Sequence, residues 1–492
     1  MSGPSPHLST KQPGHGMRWP AMGLLSASAV INLTNVAAMS EYGLGSVVLY
    51  LIPALVFLLP AAFVAAELGS TWPGGVFTWV HEAFGEKWAF CAAWQQWVQN
   101  VIFYPLLLSF AAGNLAFVVS PDLARSGPFN GAFVLVGFGL CAAVAMHGVR
   151  HASLFSVWSV LLGIVLPTAL LSLLAVVYLV GGHGSAAPLG ARDWVPPWSG
   201  IGGLVLVVGN FLAFGGVEVS AVHVREMRDA RHGYPKAMVV MALLATSIFV
   251  LATLGVAVAV PRTRVDLSAG LIQAFETYLS TFGMRRVAPL IAVLFLVATL
   301  GTVLTWILGP NHSLLLVGRK GLLPPFFQRT NTHGTPTGLL ATQAVLVALL
   351  ALLFFFARDV NQVYWALDAM TTQLYIPMYG LLFLSALRLR RTQPDLPRGY
   401  RAPMLPVLAG VGLVACVLAF LVGFVPPKQL GVQNAAAYVA RLAGLVLSLA
   451  AVPFVFYALR KPGWRQPPPR ASHPGAGSGS RTGRPTPAKP EP

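Results

Sequence analysis

Apolar residues fall along this chain in long blocks separated by short polar or basic stretches. A helix that crosses a bilayer needs about 20 consecutive apolar residues. Blocks of that length predict twelve spans, near 21–39, 47–68, 84–118, 129–148, 153–181, 200–222, 235–260, 285–318, 337–357, 361–387, 403–425 and 436–459. The polar turn SEYGLGS separates the first two. Spans three and eight are the longest, at about 35 residues, so they tilt or extend past the bilayer.

Spans one and six are interrupted. Span one reads LLSASAVINLTNVAAMS, with Ser26, Ser28, Asn32, Thr34 and Asn35 in a segment that ought to be lipid-like. Span six carries Gly215, Gly216 and, two residues on, Glu218. Adjacent glycines lower helix propensity by ~1 kcal/mol each relative to alanine. A carboxylate at helix centre costs ~2.5–3.5 kcal/mol. Helix breaks are tolerated at membrane depth only where they are buried in protein or line a cavity. The stretch from Gly209 to Ala237 is therefore the one around which the rest is organised. The plainer reading is a glycine-rich packing face with Glu218 paired inside the bundle.

The unusual spans are five apart: one with six, three with eight. That pattern predicts an all-α membrane protein with a 5+5 inverted repeat, the first unit about 21–181 and the second about 200–387. Spans eleven and twelve (403–459) are appended. A polar segment, 1–20, precedes the spans, and a Pro/Gly/Ser/Arg-rich tail, 461–492, follows them. The composition of the tail from Pro462 on predicts disorder.

Composition agrees. Hydrophobic residues make up 56% of the 492 and charged residues 10%, against about 25% charged in soluble domains. No cleaved signal peptide is read at the start of the chain. The net charge of +17 would suggest nucleic acid in a soluble protein, but 23 of the 32 Lys and Arg fall on one side if the N-terminus is inside. Basic residues concentrate on the cytoplasmic side of membrane proteins and meet anionic lipid there. The expectation is a multi-pass plasma-membrane protein with both termini cytoplasmic, in contact with lipid and not with nucleic acid. Cys91, Cys141 and Cys416 have neither disulfide nor metal spacing. No cofactor, metal or enzyme signature is found: there is no P-loop, HExxH, CxxC or GxSxG.

Several polar residues are candidates for a solute site. Asn32 and Asn35 share a helical face three apart and suggest a polar break opposite span six; interhelical hydrogen bonding is the alternative. Span three carries Gln95, Gln96, Gln99 and Asn100; Gln95 and Gln99, four apart, face one way, and with Asn100 suit a polar solute or serve as packing glue. Trp306 precedes Gly309-Pro310, which predicts a kink. Asp368 in span ten lies inside the cavity or near the outer interface. His147, His151 and His223 fall near span ends. DLSAGLIQAFETYLSTFG predicts a short amphipathic helix, a lid or a simple interfacial helix.

FLAFGGVEVSAVHVREMRDARHGYPKAM resembles the span-six signature of the amino acid–polyamine–organocation permeases. WILGPNHSLLLVGRKGLLPPFFQRTNTHGTP and AAELGSTWPGGVFTWVHEAFGEKWAF resemble the same family's span eight and its span-two to span-three connection. VEVSAVHVREM, DLSAGLIQAF and WILGP together look most like the bacterial glutamate/GABA antiporter branch. The resemblance covers about residues 20 to 460. It implies a LeuT-type fold and alternating access. It places backbone contacts to an amino-acid substrate at Ile31, Asn32 and Leu33, with Thr34 beside them, and at Phe214, Gly215 and Gly216. Leu212 falls where many members place an aromatic gate, Trp306 matches a span-eight aromatic, and Glu218 matches a carboxylate implicated in proton sensing, a role for which Asp368 is also a candidate. Span one has Val30, Ile31 and Asn32 where many members have a glycine-rich break. The expected activity is secondary transport of amino acids, by exchange or coupled to protons, favouring net-neutral zwitterions. The alternatives are a polyamine or amine carrier, and a membrane sensor that does not move substrate.

Overall fold

In the computed structural model, residues 16–196, 201–357, 359–426 and 432–465 are described, with the side chains of 149–153, 201–206 and 222 outside the description. All regular structure among them is helical. In hydrocarbon every backbone N–H and C=O must bond internally, which a helix achieves within one segment. Ten helices among the described residues are long and apolar enough to cross a membrane. They correspond to the expected spans two to five and seven to twelve. The two expected spans missing from that set are one and six, and both are broken.

In chain order, α1 is Trp19–Val30 and α2 is Val36–Ser40, with Ile31 to Asn35 between them. α3 is Gly45–Thr71, with one π turn at Ala54–Leu58 after Pro53. α4 is Val76–Phe84, α5 Glu86–Val119, α6 Gly127–Met146 and α7 Leu154–Val180. α8, Ile201–Ala213, is followed by a 3-10 segment, Val219–Glu226. α9 is Ala230–Ala259, capped by Asp229, whose carboxylate accepts from the His232 N–H. α10 is Gly270–Thr281, α11 Ala288–Val317, α12 Thr337–Phe356, α13 Val360–Thr392, α14 Leu405–Val422 and α15 Ala435–Leu459.

α5 is the centre of the packing. It runs 34 residues, and α11 and α13 lie along it. α1 packs on α9, and α6 on α12. α11 continues as one helix through Gly309-Pro310.

The expected amphipathic helix is α10, and it is pinned down. Leu271, Ala274, Phe275, Tyr278 and Leu279 are buried. Asp266 gathers the Ser268 and Ala269 N–H groups ahead of it, and Asn114 of α5 donates to the Ser268 carbonyl at 2.7 Å. The tail expectation is corrected at its start. Pro462–Trp464 forms a turn, and the Trp464 carbonyl accepts from Gln328 at 2.8 Å. Residues 466–492 lie outside the described residues.

Candidate functional site

The break in the first helix begins at Ile31, whose backbone is extended (φ −84°, ψ 106°). The break in the second begins after Ala213 and turns at Gly216, where φ is +108°. That is a left-handed conformation that glycine adopts without strain. Space imposes the same choice. A Cβ on Gly216 would lie 2.8 Å from the Ala29 carbonyl oxygen and 3.0 Å from the Trp306 ring, and one on Gly215 would run into the Tyr375 ring. The two breaks are therefore in direct contact.

Two aromatic side chains hold the backbone there. Trp306 Nε1 donates to the Ala29 carbonyl at 3.0 Å. The Gly216 N–H donates to the Tyr379 hydroxyl at 2.8 Å. Tyr379 donates in turn to Glu218 at 2.5 Å, Tyr375 donates to the same carboxylate at 2.6 Å, and Gln96 donates at 2.8 Å. Glu218 is 1% exposed. Among the described residues it has no ion pair. A buried carboxylate must be hydrogen-bonded to persist, and here all its donors are neutral.

The polar residues of the first broken helix tie it to its neighbours. Ser26 bonds Ser220 at 2.7 Å, Ser28 lies 3.0 Å from Thr305, and Asn35 donates to Asn210 at 2.5 Å. Asn210 donates onward to the Leu49 carbonyl. Asn32 and Thr34 bond each other. Ile31, Asn32, Leu33 and Thr34 line a small cavity of about 10 Å³, roughly the space one water needs.

The expected site residues divide into three groups. Ile31, Asn32, Leu33, Thr34, Leu212, Phe214, Gly215, Gly216, Trp306 and Glu218 are all buried at or beside the breaks. The Phe214 ring turns away, onto Tyr50 and Phe249. On α5, Gln99 and Asn100 are fully buried and bond each other, while Gln95 is half-buried at the edge. Asp368 is half-buried on α13, one turn past Tyr364, whose hydroxyl donates to the Thr34 carbonyl of the first break at 2.9 Å. It lies seven residues before Tyr375 on α13, about 10 Å along the helix axis. Of the histidines, His223 pairs with Glu226 at 3.1 Å and His147 bonds the Ala143 carbonyl; the His151 side chain lies outside the description.

Sequence reading names Gln96 in span three without pairing it to Glu218, and it does not single out Tyr375, Tyr379 or Asn210. The two tyrosines are four apart on one helix, a spacing that puts both hydroxyls on one face, and that signal was legible. Among the described residues no cluster of three or more His, Cys, Asp or Glu is arranged to hold a metal.

Such a bundle, with two helices broken face to face around a buried carboxylate, defines a polytopic membrane protein with a closed internal polar site. The amino acid permease family profile matches residues 19–448. The chain is 32% identical over 439 residues to an uncharacterised transporter of Legionella pneumophila, covering 88% of this chain and 94% of that one. It is 30% identical over 448 residues to a glutamate/gamma-aminobutyrate antiporter of Lactococcus lactis, covering 88% and 89%. A probable agmatine/putrescine antiporter of Lactococcus lactis is 22% identical over 430 residues, covering 82% and 87%. The chain belongs to the amino acid permease family, within the amino acid–polyamine–organocation superfamily.

Proposed function

We propose that this protein is a secondary transporter of amino acids, working by alternating access around the paired breaks, by exchange or coupled to protons. The observation that carries the reading is the exposure of backbone polar groups at the breaks to side chains rather than to a helix ladder. Broken-helix ends in transporters offer N–H groups to a carboxylate and C=O groups to an ammonium. Here the Gly216 N–H and the Ala29 C=O are engaged by one tyrosine and one tryptophan. A rotamer change frees each, and a zwitterion has the charges to replace them. Similarity to a glutamate/gamma-aminobutyrate antiporter supports the class.

The same reading takes α1 with α2, and α8 with the 3-10 segment, as interrupted spans one and six. With the ten long helices they make twelve passes: a LeuT-type 5+5 repeat, about 21–181 and 200–387, plus α14 and α15. The side of the membrane rich in Lys and Arg is the cytoplasm, and both termini lie there. Glu218 is the group that senses or couples protons. Net-neutral zwitterions are favoured over amino acids with a second carboxylate, since the site holds a carboxylate and no Lys or Arg falls in the middle of the helices around it.

Counterflow in proteoliposomes tests this. Vesicles preloaded with one unlabelled amino acid should accumulate its labelled form transiently. A panel of amino acids and amines without any counterflow would leave the sensor reading. Counterflow of arginine or putrescine alone would establish an amine carrier.

A further inference from the structure

Two contacts set the face that α5 turns toward the glycine pair. Gln96 reaches Glu218 at 2.8 Å, and Phe103 places its ring edge-on to Trp306 at 5.8 Å. Residues 96, 99, 100 and 103 are spaced i, i+3, i+4, i+7 and form one stripe of the helix. Gln99 and Asn100 therefore lie on the face bounded by Glu218 at one end and Trp306 at the other. Gln99 Nε2 donates to Asn100 Oδ1 at 2.7 Å, and Asn100 Nδ2 donates to the Gln96 backbone carbonyl at 2.9 Å.

What remains on that face is one-sided. The side-chain oxygens of Gln96 and Gln99 are buried and have no hydrogen-bond partner among the described residues. The residues are 2% and 0% exposed. Rotating either amide by half a turn does not help: it would put the Gln96 oxygen against the Glu218 carboxylate, and the Gln99 oxygen against Asn100 Oδ1. Both orientations follow from the donor and acceptor inventory. Next to these two acceptors stands Glu218, a third, and among the described residues it has no cation. A buried acceptor left without a donor is unfavourable, so this surface suits a ligand that brings donors.

We propose that Gln99 and Gln96 form the side-chain subsite of the transported amino acid, and that this subsite selects side chains ending in N–H donors, an amide or an ammonium. The proposal rests on the transport reading above. A donor entering beside the glycine pair satisfies both orphan oxygens and approaches Glu218. A thioether or hydrocarbon of the same length leaves them orphaned. A carboxylate sets acceptor against acceptor. Sites built to hydrogen-bond a polar group discriminate strongly against an analogue that lacks it.

The test is competition in proteoliposomes by unlabelled L-glutamine, L-lysine and L-methionine, with labelled L-glutamine and labelled L-lysine as probes. Against whichever probe is taken up, methionine should compete about tenfold or more less strongly than the better of the other two. Gln99→Met should bring that ratio close to one, and Gln99→Asn, which keeps an amide oxygen, should hold an intermediate ratio. Glutamine as the stronger competitor identifies the amide form, and lysine the ammonium form. Methionine competing within twofold in the wild type would overturn the subsite, as would an unchanged ratio in folded Gln99→Met. If Gln99→Met fails to fold, a wild-type ratio in Gln99→Asn overturns it equally. Absence of uptake of any amino acid by the wild type is a different result, and it removes the transport reading itself.

Discussion

Glu67 and Glu218 are both 1% exposed, and their surroundings are opposite. Glu67, near the end of α3, takes a two-pronged contact from Arg390, with Nε at 2.7 Å and a terminal nitrogen at 2.5 Å. Arg398 pairs with it at 3.1 Å, and the Ala402 N–H donates at 2.8 Å. Arg398 also lies over the Trp72 ring. These contacts join the ends of α3 and α13 to the connection leading into α14. Glu218 meets two phenols and one amide, and among the described residues no cation. Paired arginines hold a carboxylate in one charge state and one position. Neutral donors, one of which, Tyr379, also takes the Gly216 N–H at the helix break, leave it able to change both. The first arrangement is a staple; the second is the one we propose as a site.

Glu67→Gln should show the largest effect. It leaves two guanidinium groups largely buried with no charge partner, and breaking a buried pair costs about 3–5 kcal/mol. Thermal unfolding in detergent should show a large loss of stability. Near-wild-type stability would mean that Glu67 is no staple. Glu218→Gln should leave a folded protein, because the glutamine oxygen keeps the bonds from Gln96 and Tyr375 while its amide N–H can donate to the Tyr379 hydroxyl, and should flatten the pH dependence of transport. An unchanged pH profile would return Glu218 to a packing role and erase the contrast. The smallest effect concerns ligand charge. Competition of labelled uptake by glutamine and GABA should be similar at pH 5 and pH 7.5, while glutamate should compete better at pH 5, where more of it carries a neutral side chain. Equal competition by glutamate at both values would show that a second carboxylate is tolerated beside Glu218.

Which of these features the sequence could reveal follows from how local their causes are. The membrane forces long apolar helices, so the spans were legible from composition. Gly215, Gly216 and Glu218 violate that rule within four residues, so the second break was legible too. The first break was legible from Asn32, Thr34 and Asn35, although no glycine marks it. The partners of Glu218 were not legible, because they are set by how three helices rotate against each other. Helical spacing alone favoured Gln95 with Gln99, whereas Gln96, a hundred degrees round from Gln95, is the one that reaches Glu218. Asp368 looked equivalent to Glu218 by chemistry, but it lies one turn from Tyr364, which bonds the first break at Thr34, and not among the donors of Glu218. Glu67 drew no attention in AAELG, because its arginine partner Arg390 is 323 residues away.

Counterflow measured side by side for the wild type and Gly216→Leu tests the central claim most directly. A leucine there meets the Ala29 carbonyl and the Trp306 ring at contact distances a side chain cannot keep, and it blocks approach of a ligand to the backbone. The account expects labelled amino acid to exchange in wild-type vesicles and not in those of the variant, with the variant still monodisperse and helical. Exchange by Gly216→Leu at the wild-type rate would contradict it and move the site away from the breaks.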